Sequence, residues 1–211
     1  MNGRKLWLAI GLLALVWAPA ACPQWDYDER SLAPFVPTPQ EVVEKMLQVA
    51  GVKKDDMVYD LGCGDGRIII TAAQKFGARA TGVELDAELF RKTQARIQEL
   101  KLQERVKIVN ANALEVDFSP ATVVTLYLLT DSNTKLKPNL EKYLKPGSRV
   151  VSHDFVVTGW APAKVEKVNR DSRVHTIYLY EMPPKKESGN LGRAPIRSTT
   201  PLPAGLASRR R

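Results

Sequence analysis

Met57-Val58-Tyr59-Asp60-Leu61-Gly62-Cys63-Gly64-Asp65-Gly66-Arg67 decides the fold of this chain. Met57–Leu61 reads as a short strand, Gly62–Gly66 as a tight loop, and Arg67–Phe76 as a helix with Ile68, Ile69, Ala72 and Ala73 facing inward. Three alternate glycines let the backbone turn sharply and approach a ligand without Cβ clashes. The helix that follows presents unpaired N–H groups at its start.

Working outward, strand and helix signals alternate. Thr38-Pro39-Gln40-Glu41 predicts a helix start, with Thr38 as cap, Pro39 in the first helical position and Glu41 closing a capping box. Val42, Val43, Met46, Leu47 and Ala50 share one face, and Gly51 ends the helix. Beyond the glycine loop come a strand at Ala80–Leu85, a helix at Ala87–Leu100 and a strand at Val106–Asn110. Thr122–Leu129 is a continuously apolar run, as expected of a central strand buried on both faces. Ser132–Tyr143 predicts a helix and Arg149–Phe155 a fifth strand. Lys164–Val168 and Val174–Glu181 predict a terminal hairpin through Asn169–Arg173. This alternation specifies a doubly wound, mostly parallel α/β sheet of Rossmann-like type, closed by an antiparallel hairpin. Ligands of such sheets sit at the carboxyl ends of the strands, where strand order reverses.

The ends differ from the middle. Of 31 basic and 23 acidic residues, positions 23–182 hold 22 of each, so that region is neutral and the net +8 sits at the two ends. A neutral domain offers no footprint for a polyanion, and no specific nucleic-acid partner is expected. Residues 1–22 combine Arg4 and Lys5, a 12-residue apolar run from Leu6 to Trp17, and the small-x-small sequence Ala18-Pro19-Ala20. This pattern predicts a cleaved signal peptide first, an uncleaved membrane anchor within residues 6–22 second, and lipidation of Cys22 third. The expected domain covers 23–182, followed by a basic, proline-containing disordered tail at 183–211. The two cysteines, Cys22 and Cys63, suggest neither a disulfide framework nor a zinc site, and no metal is expected.

Glu84 lies 18 residues beyond Gly66, at the end of the second strand, where a carboxylate can accept both hydroxyls of a ribose. Dinucleotide sites favour Gly-x-Gly-x-x-Gly, but here the third glycine comes one residue early. Asp60 and Asp65 would repel a pyrophosphate. An adenosine cofactor with an ammonium group and no phosphate fits better, namely S-adenosylmethionine.

Val58–Arg67 resembles motif I of class I (seven-strand) S-adenosylmethionine-dependent methyltransferases. More narrowly, the chain resembles the family of mitochondrial lysine methyltransferases acting on the c subunit of ATP synthase, together with their bacterial relatives. Pro34-Phe35-Val36-Pro37-Thr38-Pro39, Asp65-Gly66-Arg67 and Ala121–Leu129 carry that likeness, over about residues 32–182. The resemblance implies that Asp60 and the Gly62-Cys63-Gly64-Asp65-Gly66 backbone hold the methionine part of the cofactor. It implies that Leu85 packs on the adenine, that Asn112-Ala113 matches the usual Asp-Ala motif at the adenine amine, and that Phe35 and Thr38 close over the cofactor. It implies an amine acceptor, a protein lysine, and hence a protein partner. Tyr127-Leu128-Leu129-Thr130 replaces the Asn/Asp-Pro-Pro-Tyr motif of nucleic-acid base and glutamine methyltransferases.

Tyr127, His153 and Asp154 stand at strand ends as candidates to position or deprotonate the amine. Each has a structural alternative: closing a strand, a satisfied buried imidazole, a turn cap. Trp160 either lines an acceptor channel or packs on the sheet. Three further readings stay open: a small-molecule methyltransferase, an exported binding module without turnover, and a hydride-transferring oxidoreductase. The residues leave the oligomeric state open.

Overall fold

The computed structural model describes residues 31–186. The leader expected at 1–22 and residues 187–211 of the basic tail lie outside the described residues. Among the described residues no helix is long and apolar enough to cross a membrane.

Helix α1 spans Gln40–Val49 and buries Val42, Val43, Met46 and Leu47, the one-face spacing of a helix packed on a sheet. Strand β1 (Met57–Leu61) leads through the glycine loop into α2 (Arg67–Phe76). Next come β2 (Arg79–Glu84), α3 (Ala87–Glu99), β3 (Val106–Asn110), β4 (Val123–Leu126), α4 (Thr130–Tyr143) and β5 (Arg149–His153). A two-residue strand, β6 (Trp160–Ala161), precedes the hairpin of β7 (Lys164–Arg170) and β8 (Arg173–Glu181), and β9 (Lys185–Lys186) follows.

The main sheet runs β3-β2-β1-β4-β5-β8-β7, and β6 and β9 form a separate two-stranded ladder. The first five strands in that order pair in parallel; β8 pairs antiparallel with both β5 and β7. From β1 the chain winds outward to β2 and β3, then returns to place β4 on the other flank of β1. That reversal opens a crevice at the carboxyl ends of β1 and β4. One face of the sheet is covered by α1, α2 and α3, with Val58, Ile69, Ile97 and Val151 in one core. The other carries α4, with Leu61, Phe118, Leu136, Leu140 and Trp160 in a second core. Burial on both faces explains why all four residues of β4 are apolar or hydroxyl-bearing and fully enclosed.

Several expected boundaries move, each for a physical reason. Pro39, not Thr38, caps α1, and no side chain bonds the helix start. The Thr38 hydroxyl turns instead toward His153, and Glu41 pairs with Arg170 2.9 Å away, so the capping box does not form. The apolar run at 122–129 yields a strand only to Leu126, and Leu129 caps α4, which begins two residues early at Thr130. Strand β5 stops at His153 because Asp154 adopts φ +60°. The hairpin turn is tighter than expected, with only Asp171 and Ser172, both at positive φ, between β7 and β8. That geometry suits a two-residue hairpin. Trp160 is buried, edge-on to Tyr180, with its Nε1–H on Glu141 3.0 Å away, so it packs on the sheet rather than lining a channel. Strand β9 lies beyond the domain edge expected at 182.

Candidate active site

The cleft at the carboxyl ends of β1, β2 and β4 has a volume of about 760 Å³, within the range of small-ligand and cofactor sites. Its floor is the glycine loop and its far wall Glu84 and Leu85. Asn112 and Ala113 close one side, Tyr127 and Leu128 the other, and residues 31–38 form a strap across the top.

The cradle is built by backbone hydrogen bonds. The N–H groups of Gly62 and Cys63 both donate to Val83 O, at 2.8 and 3.0 Å, tying the loop to β2. Gly64 donates its N–H to Glu84 Oε2 at 2.7 Å, and Asp86 donates to Glu84 Oε1 at 2.9 Å. Both oxygens of Glu84 therefore hold backbone, and the residue lines the cleft. Gly66 has φ +73°, and a Cβ there would stand 2.4 Å from Thr93 Cγ2. Thr93 cannot retreat: it is buried, and its hydroxyl donates to Gly64 O at 2.9 Å. A Cβ on Gly64 would instead meet the Phe35 ring at 2.5 Å. Phe35 is 49% exposed, so it can swing away.

Three carboxylates surround this cradle. Asp60 is buried, and burial pushes its pKa up to about 7, against the Thr125 hydroxyl that donates to its Oδ1 at 2.6 Å. Negative charge on Glu84 and Asp65 pushes the same way. Asp65 is half-buried; burial raises its pKa, but the Arg67 guanidinium outweighs that and holds it below the usual range. A positively charged ligand is what such a site favours, because it would offset the crowding of acids. An ammonium and a sulfonium supply that charge. The narrow glycine cradle and the acidic set thus fit S-adenosylmethionine and oppose a pyrophosphate. Cys63 is buried beside these acids, and burial drives its thiol pKa well upward, so it is no nucleophile.

Arg67 matters more than its place in the motif implied. It grips Asp65 through Nε (2.9 Å to Oδ1) and a second nitrogen (2.6 Å to Oδ2), while a third donates to the carbonyl of Thr38 at 2.5 Å. Asp65-Gly66-Arg67 is therefore a clasp between the cradle and the strap. The strap is also held by the Ser132 hydroxyl on Leu32 O and by Phe35 over Gly64.

Every residue expected at the cofactor lines the cleft except Gly66, which lies beneath it. Asn112 is partly occupied: its Oδ1 accepts the Leu114 N–H at 3.0 Å. The three acid/base candidates separate. Tyr127 lines the cleft, and burial raises its pKa. His153 and Asp154 sit behind it. The His153 ring stacks on Tyr127 with centroids 3.9 Å apart, and its Nδ1 lies 3.4 Å from Thr38 Oγ1. Its Nε2 lies 2.9 Å from Nδ1 of His175, a residue that sequence reasoning missed. The one signal for it was that the chain holds just two histidines. Asp154 Oδ2 is 3.3 Å from His153 Nε2 and 2.8 Å from an Arg173 nitrogen. Among the described residues these two imidazoles and one carboxylate are the group with metal-ligand composition, all donors within 4.8 Å. Here those donors are engaged with one another and with Arg173.

Comparison with known proteins agrees with this geometry. Residues 60–164 match the ANTKMT methyltransferase domain. A protein-lysine N-methyltransferase of Saccharolobus islandicus is 55% identical over 148 residues, covering 70% of this chain and 92% of that one. The human lysine N-methyltransferase of the ATP synthase c subunit is 28% identical over 171 residues, covering 81% of this chain and 71% of the human protein. A crystal structure described as an RNA methyltransferase from Salinibacter ruber, in complex with S-adenosyl-L-homocysteine, superposes with a TM-score of 0.66 at 42% identity. That match covers 75% of this chain and all of the other.

Proposed function

Since the chain belongs to the ANTKMT-domain family of S-adenosylmethionine-dependent protein-lysine methyltransferases, we propose that it methylates a lysine side chain of a protein partner. The observation that carries the reading is Glu84 bridging Gly64 and Asp86 beneath an acid-rich glycine cradle. That arrangement suits a cationic adenosine cofactor, and the Saccharolobus relative at 55% identity is a protein-lysine enzyme.

The cofactor, when bound, supplies an activated methyl group on sulfur. What remains for the chain is position and desolvation. Asp60 and the loop backbone would hold the methionine part, Glu84 the ribose, and Leu85 and Asn112 the adenine. The strap, clasped by Arg67, would exclude water. Phe35, Val36 and Leu129 leave apolar surface exposed, 49%, 52% and 45%, on the strap and at the start of α4. An acceptor with apolar residues around its lysine suits that rim. The Salinibacter structure's description as an RNA methyltransferase raises a second reading, but the balanced charge of residues 23–182 supports a protein acceptor over a polyanion. The apolar leader supports placement at or across a membrane, by a signal peptide before an anchor.

The test uses the full chain with methyl-labelled S-adenosylmethionine and separate membrane, soluble and RNA fractions of the source organism. Label in a discrete protein band, mapping to lysine, is expected. Label in RNA or in small molecules alone refutes the proposal. Membrane pelleting of the native protein tests its location.

A further inference from the structure

The chain has two histidines, 22 residues apart, and the fold brings them together inside the protein at 2.9 Å. Both are buried, at 0% and 4% exposure. The pair lies between the cleft and the outer strands. On the cleft side stands Thr38, which is 3% exposed, lines the cleft, and has its hydroxyl 3.4 Å from His153 Nδ1. On the other side Asp154 Oδ2 lies 3.3 Å from His153 Nε2 and 3.7 Å from His175 Nδ1. Arg173, half exposed, pairs with that same oxygen. A continuous line of hydrogen-bonding atoms therefore runs from the cofactor cleft to the surface.

We propose that Thr38, His153 and His175 form a proton relay that deprotonates the acceptor ammonium, an inference resting on the amine-methyltransferase reading. A lysine arrives protonated at neutral pH and cannot attack until it loses a proton. In the relay the acceptor N–H passes its proton to Thr38 Oγ1 as the Thr38 hydroxyl gives its own to His153 Nδ1. His153 then passes its Nε2 proton to His175 Nδ1. No carbon bond changes in this step, and the positive charge ends on His175, beside the Asp154 carboxylate. Thr38 is the member that reaches the substrate; His153 and His175 act through it and position its proton.

The surroundings fit this direction of transfer. Burial pulls the His153 pKa down to about 4, so an imidazolium is disfavoured there and His153 accepts from Thr38 only as its Nε2 proton leaves for His175. The titratable and charged groups facing the pair are Asp154 at the end of β5, Arg173 and Tyr178 on β8, and Tyr127 beyond β4. Of these only Asp154 carries negative charge, and its Oδ2 lies at the junction of the two imidazoles, 3.3 Å from His153 Nε2 and 3.7 Å from His175 Nδ1, away from Thr38 and the cleft. The 3.4 Å link at Thr38 is loose, as catalytic hydrogen bonds are before substrate closes the site.

Two measurements on the full chain decide the proposal. The first needs no turnover: 15N imidazole spectra at pH 7 should show His153 as the Nε2–H tautomer, with Nδ1 free to accept from Thr38. An Nδ1–H tautomer overturns the relay. The second compares Thr38→Val, Thr38→Ser and His175→Asn. The asparagine keeps an acceptor for His153 Nε2–H but cannot take a charge. The pH profile of kcat, with S-adenosylhomocysteine affinity alongside, separates a relay from a structural role. Thr38→Val and His175→Asn should lose about 10²-fold in kcat at pH 7 and recover as pH rises toward the free-amine range. Thr38→Ser should retain most activity, and affinity should stay within threefold in all three. An equal loss at every pH, or a tenfold fall in affinity, shows that the pair only supports the strap. Activity that a chelator removes and zinc restores assigns the cluster to a metal and likewise overturns the relay. If His175→Asn does not fold, Thr38→Val carries the test. A wild-type chain that binds cofactor but labels no amine refutes the lysine reading instead, and the tautomer measurement stands apart from that outcome.

Discussion

Replacing Glu84 probes the cofactor site where its geometry is most explicit. The carboxylate accepts Gly64 N–H at 2.7 Å and Asp86 N–H at 2.9 Å, and it is 8% exposed at the cleft wall. A bound ribose would offer its two hydroxyls to the same carboxylate. A hydrogen bond to a charged group is worth about 1.5–3 kcal/mol. Losing two raises Kd by about 10²–10⁴-fold. Glu84→Ala also strips the acceptor from two backbone donors in the folded state. Water entering the cleft replaces part of that, leaving a loss of about 1–2 kcal/mol. For a domain of this size the melting temperature should fall by about 2–8 °C. Calorimetry with S-adenosylhomocysteine and a thermal melt of the same sample read both quantities. Glu84→Gln keeps one acceptor and should fall between the two. If Glu84→Ala binds within threefold of wild type while its stability drops, Glu84 serves the loop alone and does not hold the ribose.

Other perturbations follow from the same contacts. Asp60 titrates near 7 in the folded chain and near 3.8 when unfolded, so the native state keeps a proton that the unfolded state releases. Its contribution to stability therefore declines as pH rises from about 4 to 7. A cationic ligand binds the ionised form, so affinity should climb by up to about tenfold per pH unit toward 7 and then level; Asp60→Asn should flatten that slope in a calorimetric pH series. Arg67→Lys breaks the two-pronged hold on Asp65 and the contact with Thr38 O. Cofactor affinity should fall by about tenfold, and protease should cleave residues 31–38 faster, with S-adenosylhomocysteine no longer protecting them. Gly66→Ala forces a Cβ into buried Thr93 at positive φ and should cost about 1–3 kcal/mol in a denaturant melt. At Gly64 the neighbour is the exposed Phe35 ring, so alanine there should affect binding more than stability.

What the sequence made legible was local. Strand β1, helix α2 and strand β3 have the bounds that their punctuation implies, because glycine and charged residues break the apolar pattern on either side. The cleft-lining residues from Asp60 to Asp65, with Glu84 and Leu85, were legible for the same reason, lying in one strand-loop-helix unit and at the end of the strand beside it, whereas Phe35, Thr38, Asn112 and Ala113 reach the cleft from outside that unit. Thr38 was misplaced as a helix cap because its partner, His153, lies 115 residues away. No periodicity reports such a contact. Leu128 and Leu129 extended the apparent β4 because hydropathy does not separate core from cleft; one lines the cofactor site and the other sits on its exposed rim. His175 lies inside a strand whose burial alternates, and nothing local marks it as different from its neighbours.

Thr38 joins the two halves of the chemistry. Its carbonyl is held by Arg67, which also grips Asp65 in the cofactor cradle, while its hydroxyl faces His153. Anything that settles the cradle also settles Asp65, and through Arg67 the strap. The backbone of Thr38 then stays fixed, and its hydroxyl has one imidazole to meet. Binding of the cofactor should therefore rigidify the strap before an acceptor enters, giving an order in which cofactor precedes substrate. The coupling must be reciprocal, since a binding free energy shared by two ligands acts equally on each. An acceptor peptide that tightens S-adenosylhomocysteine binding in the wild type should lose that effect in Arg67→Lys, where the cradle and the strap no longer share a clasp. If the peptide tightens binding equally in both proteins, the connection runs through some other contact than Arg67.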